Sequence, residues 1–158
     1  MGQHILVKVQ EKNFDVKTLI ENLTKSSEQE NEIGAIATFI GRVRRNQEAG
    51  LVDELFLEHY PVMTEKKIEK IAHDAFEKFQ INGCTVVHRI GNLTPGELIV
   101  FVGVSSRHRK EAFEACSYVM DFLKTEAPFW KKETSAGGER WVKTREEDYI
   151  ARDKWSEK

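Results

Sequence analysis

The chain has 158 residues, 40% of them hydrophobic, with 24 basic and 26 acidic side chains and a formal charge of -2. That length and apolar content suit a single domain with its own core. The near-balanced charge leaves no global field that would draw the chain onto nucleic acid or a membrane, so any basic site must be local.

Alternation in His4-Ile5-Leu6-Val7-Lys8-Val9 predicts a first strand, and Asp15-Val16-Lys17-Thr18-Leu19-Ile20-Glu21-Asn22-Leu23 predicts a short helix capped by Asp15. Polar 26–31 reads as a loop. The stretch 33–43 is rich in apolar and β-branched residues and is interrupted by Gly34 and Gly41, which fits a strand needing a close approach or a bulge. A polar turn at 46–50 leads into a second strand over 51–60. The clearest helix lies between Pro61 and Gln80, where Ile68, Ile71, Ala72, Ala75, Phe76 and Phe79 recur at helical spacing opposite a charged face. Segments 84–90 and 97–104 read as antiparallel strands joined by Gly91-Asn92-Leu93-Thr94-Pro95-Gly96, whose Pro-Gly pair marks a turn. A third helix is expected over 107–126, capped by Ser105 or Ser106 and burying Phe113, Cys116, Val119, Met120 and Leu123. Pro128 ends it, because proline disfavours helical geometry in the residue before it. After Gly137-Gly138, 139–143 reads as a short strand, and the charged tail from about 142 carries Trp155 as an isolated apolar anchor. Hairpins among these elements favour an α+β fold with a mixed, largely antiparallel sheet and packed helices over a doubly wound parallel one.

Local basic sites stand out along this framework. Lys124 and Lys131 flank an apolar corner formed by Pro128, Phe129 and Trp130, where desolvation would lower a lysine pKa toward useful chemistry. Core aromatics beside solvated lysines fit the same segment. Arg107-His108-Arg109-Lys110 stands at a helix start, where the dipole disfavours each cation by about 0.3–1 kcal/mol and a compensating anion is expected. Backbone N–H groups there, with guanidinium and imidazole donors, would seat a phosphate. In Gly41-Arg42-Val43-Arg44-Arg45, Arg42 and Arg44 would share one face of a strand and could meet the same anion. Each cluster also fits a solvated surface.

Absences narrow the chemistry. There is no His-Glu-x-x-His, no phosphate loop and no Gly-x-Ser-x-Gly elbow, and His4, His59, His73 and His88 lack metal-ligand spacing, so neither a metal nor a cofactor is expected. Cys84 and Cys116 stand far apart and read as buried thiols. No signal-like leader or membrane-length apolar run is present, and a cytoplasmic location is expected. Gly-Gly occurs only at Gly137-Gly138, so the chain is not expected to be a carrier loaded at a terminal glycine.

Leu55-Phe56-Leu57-Glu58-His59-Tyr60-Pro61, His88-Arg89-Ile90-Gly91, Pro95-Gly96-Glu97, Val102-Gly103-Val104-Ser105-Ser106-Arg107-His108-Arg109 and Leu123-Lys124-Thr125-Glu126-Ala127-Pro128-Phe129-Trp130-Lys131-Lys132-Glu133 follow one another in a family's order. Together they resemble, across 33–141, the catalytic (large) subunit family of molybdopterin synthase. The resemblance implies that family's α/β hammerhead-type fold. It also implies a sulfurtransferase of molybdenum cofactor biosynthesis that installs the dithiolene of molybdopterin on cyclic pyranopterin monophosphate. The implied partner is a small ubiquitin-like sulfur-carrier subunit whose C-terminal Gly-Gly thiocarboxylate enters the large subunit's pocket. The implied assembly is a homodimer of this chain within a heterotetramer. The family's substrate and catalytic positions fall on Arg42, Val43, Arg44, His108, Arg109, Lys124, Lys131, Lys132 and Glu133; arginine is also common in the family where Lys132 stands. Lys124 and Lys131 are the expected acid–base pair, Arg44, His108 and Arg109 the expected phosphate holders, and Glu133 the group that orients Lys131. Arg145, a looser match, is expected to reach a neighbouring subunit's pocket. The competing reading is a noncatalytic phosphate- or RNA-binding module that uses Phe129 and Trp130 as stacking platforms. A third is a scaffold whose basic patches only dock an acidic small subunit.

Overall fold

A computed structural model describes residues 3–29, 31–47 and 50–157. Its elements run β1 (His4–Gln10), α1 (Val16–Thr24), β2 (Ala35–Arg42), β3 (Asn46–Gln47), β4 (Gly50–Leu51), β5 (Glu54–His59), α2 (Met63–Lys78), β6 (Gly83–Arg89), β7 (Gly91–Leu93), β8 (Leu98–Ser106), α3 (Arg109–Glu126), β9 (Phe129–Ser135), β10 (Gly138–Val142) and α4 (Glu146–Asp153), followed by a 3-10 turn over Lys154–Glu157. Two four-stranded sheets organise them, one in the order β1-β6-β8-β2 and the other β10-β9-β5-β7, with β3 and β4 forming a separate hairpin. Every pairing is antiparallel except β1 with β6, so the α+β fold with a mixed, largely antiparallel sheet is the one observed.

The first sheet carries helices on both faces, which is why β6 is buried along its whole length and β8 reads as a near-continuous apolar run. Val86, Val102 and Val104 point toward α2 and α3, joining Ile68, Ile71, Ala72, Ala75, Ala115 and Val119 in the main core. Val87 and Phe101 point the other way and pack with Phe14, Leu19 and Leu23 around α1. As expected, Asp15 caps α1, its Oδ1 accepting from Lys17 N at 3.1 Å. Both glycine expectations for 33–43 hold. A Cβ on Gly34 would collide with the Arg107 carbonyl, and the β2–β8 register shifts between Gly41 and Arg42. A third cluster of Val43, Leu55, Leu57 and Leu93 links the two sheets.

Several boundaries differ from the sequence reading. The strand expected over 51–60 is two: Val52 is buried and its N–H goes to the Arg45 carbonyl (2.7 Å), which separates β4 from β5. Within the turn expected at 46–50, Glu48 and Ala49 lie outside the described residues, as does Glu30 in the predicted 26–31 loop. Gly91–Leu93 is a strand on β5 rather than part of the turn, which contracts to 94–97 around Gly96 at φ 94. Neither Ser105 nor Ser106 caps α3, because β8 runs through both. Ser105 Oγ pairs with Ser26 Oγ at 2.5 Å, and Ser106 Oγ donates to the Gln80 carbonyl while accepting from His108 N. Phe113 is 64% exposed, since the buried stripe of α3 runs through Ala112, Ala115, Cys116, Tyr118, Val119 and Leu123, leaving position 113 on the other face. Trp155 is buried but not isolated: it stands edge-on to Phe79 and Tyr118, and its Nε1–H donates to Asp121 Oδ2 at 2.7 Å. The tail reaches that anchor through α4, a helix absent from the sequence reading, and Arg152 ties α4 to Glu126 on α3 at 2.7 Å. No helix among the described residues is long and apolar enough to cross a membrane.

Candidate active site

The basic corner sits where α3 stops and the second sheet begins. Ala127 is extended (φ -80, ψ 127), as the residue before a proline must be, and the chain passes from Lys124 on the last helical turn into β9. Strand alternation then separates the neighbours. Lys131 and Glu133 face inward opposite Leu57 and Leu55, while Trp130 and Lys132 face outward. Trp130 is 47% exposed, so only Phe129 of the aromatic pair is wall. Sequence periodicity could not flag β9, because both faces of Lys131-Lys132-Glu133-Thr134 are polar.

Two adjoining pockets, of about 240 and 760 Å³, meet at this corner and share Arg42, Val43, Arg44, His88, Ile99, Lys124 and Lys131 in their walls. Four cationic side chains thus stand in the wall common to both pockets. Burial, and then the neighbouring Lys124 charge, lower the Lys131 amine from 10.5 to about 8; the Asp148 and Glu133 carboxylates act in the opposite sense. Glu133 is buried and paired with Arg140 at 3.4 Å. The arginine arm is held by the 94–97 turn. Arg42 Nε and Nη2 donate to the Gly96 carbonyl at 3.3 and 3.2 Å, Val43 N donates to the Glu97 carbonyl at 2.9 Å, and Gly96 N donates to the Val43 carbonyl at 2.8 Å. Val43 therefore contributes a buried side chain and a fully used backbone, and Arg44 lies at the pocket wall just beyond it.

Not every predicted site residue converges there. His108 and Arg109 stand at the opposite end of α3, roughly 22 Å from Lys124 by helical rise, and line neither pocket. The cation-rich helix start is offset in part by Glu32, 3.6 Å from Arg107. Lys132 is on the outer face of β9, its ammonium 5.4 Å from the Phe56 ring centroid and 5.7 Å from that of Trp141. Arg145 lines the pocket of its own chain together with Val142, Lys143, Thr144 and Asp148 of the C-terminal segment.

His88 is a pocket residue that sequence reasoning passed over as an ordinary strand histidine. It is only 6% exposed, stacks on Phe129 with centroids 3.8 Å apart and planes at 18°, and donates from Nδ1 to the Arg89 carbonyl at 2.8 Å. Burial lowers its pKa to about 3, and the Lys131 and Lys124 charges push the same way. The only available signal was its place in His88-Arg89-Ile90-Gly91 at the end of a wholly buried strand. Among the described residues no group of His, Cys, Asp and Glu could hold a metal.

An α+β chain with a half-enclosed cationic cleft, one of whose amines titrates near neutrality, belongs to the class of proteins that receive an anionic ligand and can move protons on it. A family model described as "MoaE protein" matches residues 9–126. The molybdopterin synthase catalytic subunit of Pseudomonas aeruginosa is 47% identical over 151 residues, covering 96% of this chain and 99% of that protein. A solved molybdopterin biosynthesis MoaE protein from Burkholderia ambifaria superposes with a TM-score of 0.81 at 44% identity, covering 96% of this chain and 98% of the other. The complex of subunits 1 and 2 of molybdopterin-converting factor from Helicobacter pylori shares the fold at 21% identity, with a TM-score of 0.71 and coverage of 88% and 91%. The chain belongs to the MoaE protein family.

Proposed function

We propose that this chain is the catalytic subunit of a molybdopterin synthase, a sulfurtransferase that makes the molybdopterin dithiolene from cyclic pyranopterin monophosphate. The observation that carries the reading is Lys131, inward-facing and titrating at about 8 beside Lys124 in a cationic cleft. A lysine in that range exchanges protons at neutral pH, and the surrounding guanidinium groups suit a phosphate. Family membership over nearly the full length supports the same reading, and the noncatalytic phosphate- or RNA-binding alternative is not favoured.

In this scheme the sulfur donor is the C-terminal Gly-Gly thiocarboxylate of a small ubiquitin-like subunit, whose extended tail enters the cleft. Its sulfur forms a bond to a side-chain carbon of the pterin as a carbon–oxygen bond at that carbon breaks, the oxygen leaving as water after protonation or as the released phosphate oxygen. Water then cleaves the carbonyl–sulfur bond, leaving a carboxylate on the carrier and a thiolate on the pterin. Lys124 and Lys131 give and take the protons, Glu133 orients Lys131, and two such transfers complete the dithiolene. Arg42 and Val43 hold Arg44, which binds the phosphate. His108 and Arg109 cannot reach the same phosphate from within one chain. A second copy supplies them in a homodimer within a heterotetramer, for which exposed Phe39, Ile40 and Phe113 offer apolar contact area. Lys132, turned outward, meets substrate only beyond this cleft. The whole chain acts as a single domain in the cytoplasm.

The test is incubation with cyclic pyranopterin monophosphate and thiocarboxylated small subunit, with product read by mass. A gain of two sulfurs on the pterin is expected. Absence of any sulfurated pterin from a folded, complexed enzyme refutes the assignment.

A further inference from the structure

The ionised side chains common to both pockets, Arg42, Arg44, Lys124 and Lys131, are all donors, while the Glu133 and Asp148 carboxylates line the smaller pocket alone. In that shared wall the neutral polar side chain is His88. The Arg89 carbonyl can only accept, so the 2.8 Å contact fixes the proton on Nδ1. Because the buried imidazole is neutral, Nε2 carries a bare lone pair. That nitrogen has no hydrogen-bond partner among the described residues, yet it is not among their fully enclosed unsatisfied atoms, so it is reachable from the cleft. The stack on Phe129 and the Nδ1 bond hold the ring in one orientation. A fixed, unprotonated acceptor at the wall of a cationic pocket discriminates between a ligand group that can donate to it and one that cannot.

We propose that His88 Nε2 accepts a hydrogen bond from an N–H or O–H on the heterocyclic part of the substrate, and thereby sets which end of that substrate faces the lysine pair. The proposal rests on the molybdopterin synthase reading above. A reduced pterin offers ring N–H and amino donors, whereas the ionised phosphodiester of the cyclic substrate has no P–OH, offers only acceptors and is repelled by a lone pair. The arginine side of the cleft therefore takes the phosphate and the His88–Phe129 side takes the ring. His88 is thus a specificity residue, distinct from the groups that move protons.

The experiment uses the assembled enzyme with ¹⁵N-labelled histidine. Adding cyclic pyranopterin monophosphate should shift the His88 Nε2 resonance, and adding dimethyl phosphate, an anion with no P–OH, should not. A silent Nε2 at saturating pterin overturns the proposal. In parallel, His88→Met removes the acceptor and His88→Gln restores one. His88→Met should weaken pterin binding roughly tenfold or more while dimethyl phosphate binding stays unchanged, and His88→Gln should recover most of the loss. Equal weakening for both ligands, or no recovery in His88→Gln, marks a structural role and overturns it. If His88→Met does not fold, the resonance shift in the unaltered protein decides. Product formation by the unaltered enzyme with a silent His88 defeats this inference alone. No pterin binding and no product defeats the functional reading with it.

Discussion

Replacing Lys124 by methionine tests the electrostatics of the cleft directly, because Lys131 is the residue that reports them. Its pKa of about 8, against 10.5, corresponds to a difference of about 3 kcal/mol between its two protonation states. At pH 7.5 that leaves roughly a quarter of the Lys131 amine unprotonated, where an unperturbed lysine would have roughly one part in a thousand. Burial is the leading cause and survives the substitution; the Lys124 charge and its hydrogen bond do not. Lys124→Met should therefore raise the Lys131 pKa above 8 without restoring 10.5. Asp148→Asn, which removes a carboxylate that favours the charged amine, should move it below 8. The assay is NMR titration of the Lys131 side chain, assigned by its disappearance in Lys131→Arg, so the readout does not depend on turnover. The same displacement fixes a stability slope. The folded state gives up the Lys131 proton at about 8 and the unfolded chain keeps it to 10.5, so the unfolded form holds more protons between those values and stability from this group rises with pH across that window. A Lys131 that titrates near 10.5 in the unaltered protein, or that moves the same way in both variants, would refute the reasoning.

His88 has the same sign at lower pH. Its folded-state pKa of about 3 lies below 6.5, so its stabilisation is lost as pH falls below about 6.5, and thermal melts of His88→Gln should show a shallower acid slope than the parent. Val62 is a β-branched residue at φ 71 and 60% exposed; Val62→Gly should stabilise the fold by roughly 1 kcal/mol in denaturant titration, and a loss would show that its side chain contributes contacts worth more than the strain. Trp155→Ala should cost about 3 kcal/mol or more by removing the anchor between Phe79 and Tyr118, and should also disturb the Lys131 titration by loosening the segment that carries Asp148. Because Lys132 faces Phe56 and Trp141, Lys132→Met should change pterin affinity by less than about threefold in a direct binding assay, against a much larger effect for Lys131→Met.

How much of this was legible in the sequence depended on whether one face of an element is apolar. The i, i+3, i+4 pattern of α2 and the run of β6 and β8 were readable because burial against a neighbour had already sorted their side chains. β9 and α4 were not. In β9 the inward residues are Lys131 and Glu133, so charged groups stand where the hydrophobic alternation that normally marks a strand would place apolar ones. In α4 the first turn is Glu146-Glu147-Asp148, which suits the positive end of a helix dipole but buries no side chain of its own. Both of these elements contribute to the cleft wall, β9 through Lys131 and Glu133 and α4 through Asp148.

The family's motifs single out segments of the chain but do not say which side of each strand their residues occupy. Lys131 and Lys132 are adjacent in sequence and stand on opposite faces of one strand, so a run of conspicuous charge divides into one group that titrates within the cleft and one held between aromatic rings outside it. His108 and Arg109 show the complementary limit. Helical rise alone carries them away from Lys124, and no rotamer restores the distance. If those two residues do share a substrate with Lys124, the shared site exists only between copies. Dilution below the dimer dissociation constant must then cost sulfur transfer even though each separated chain keeps its fold and its Lys131 titration.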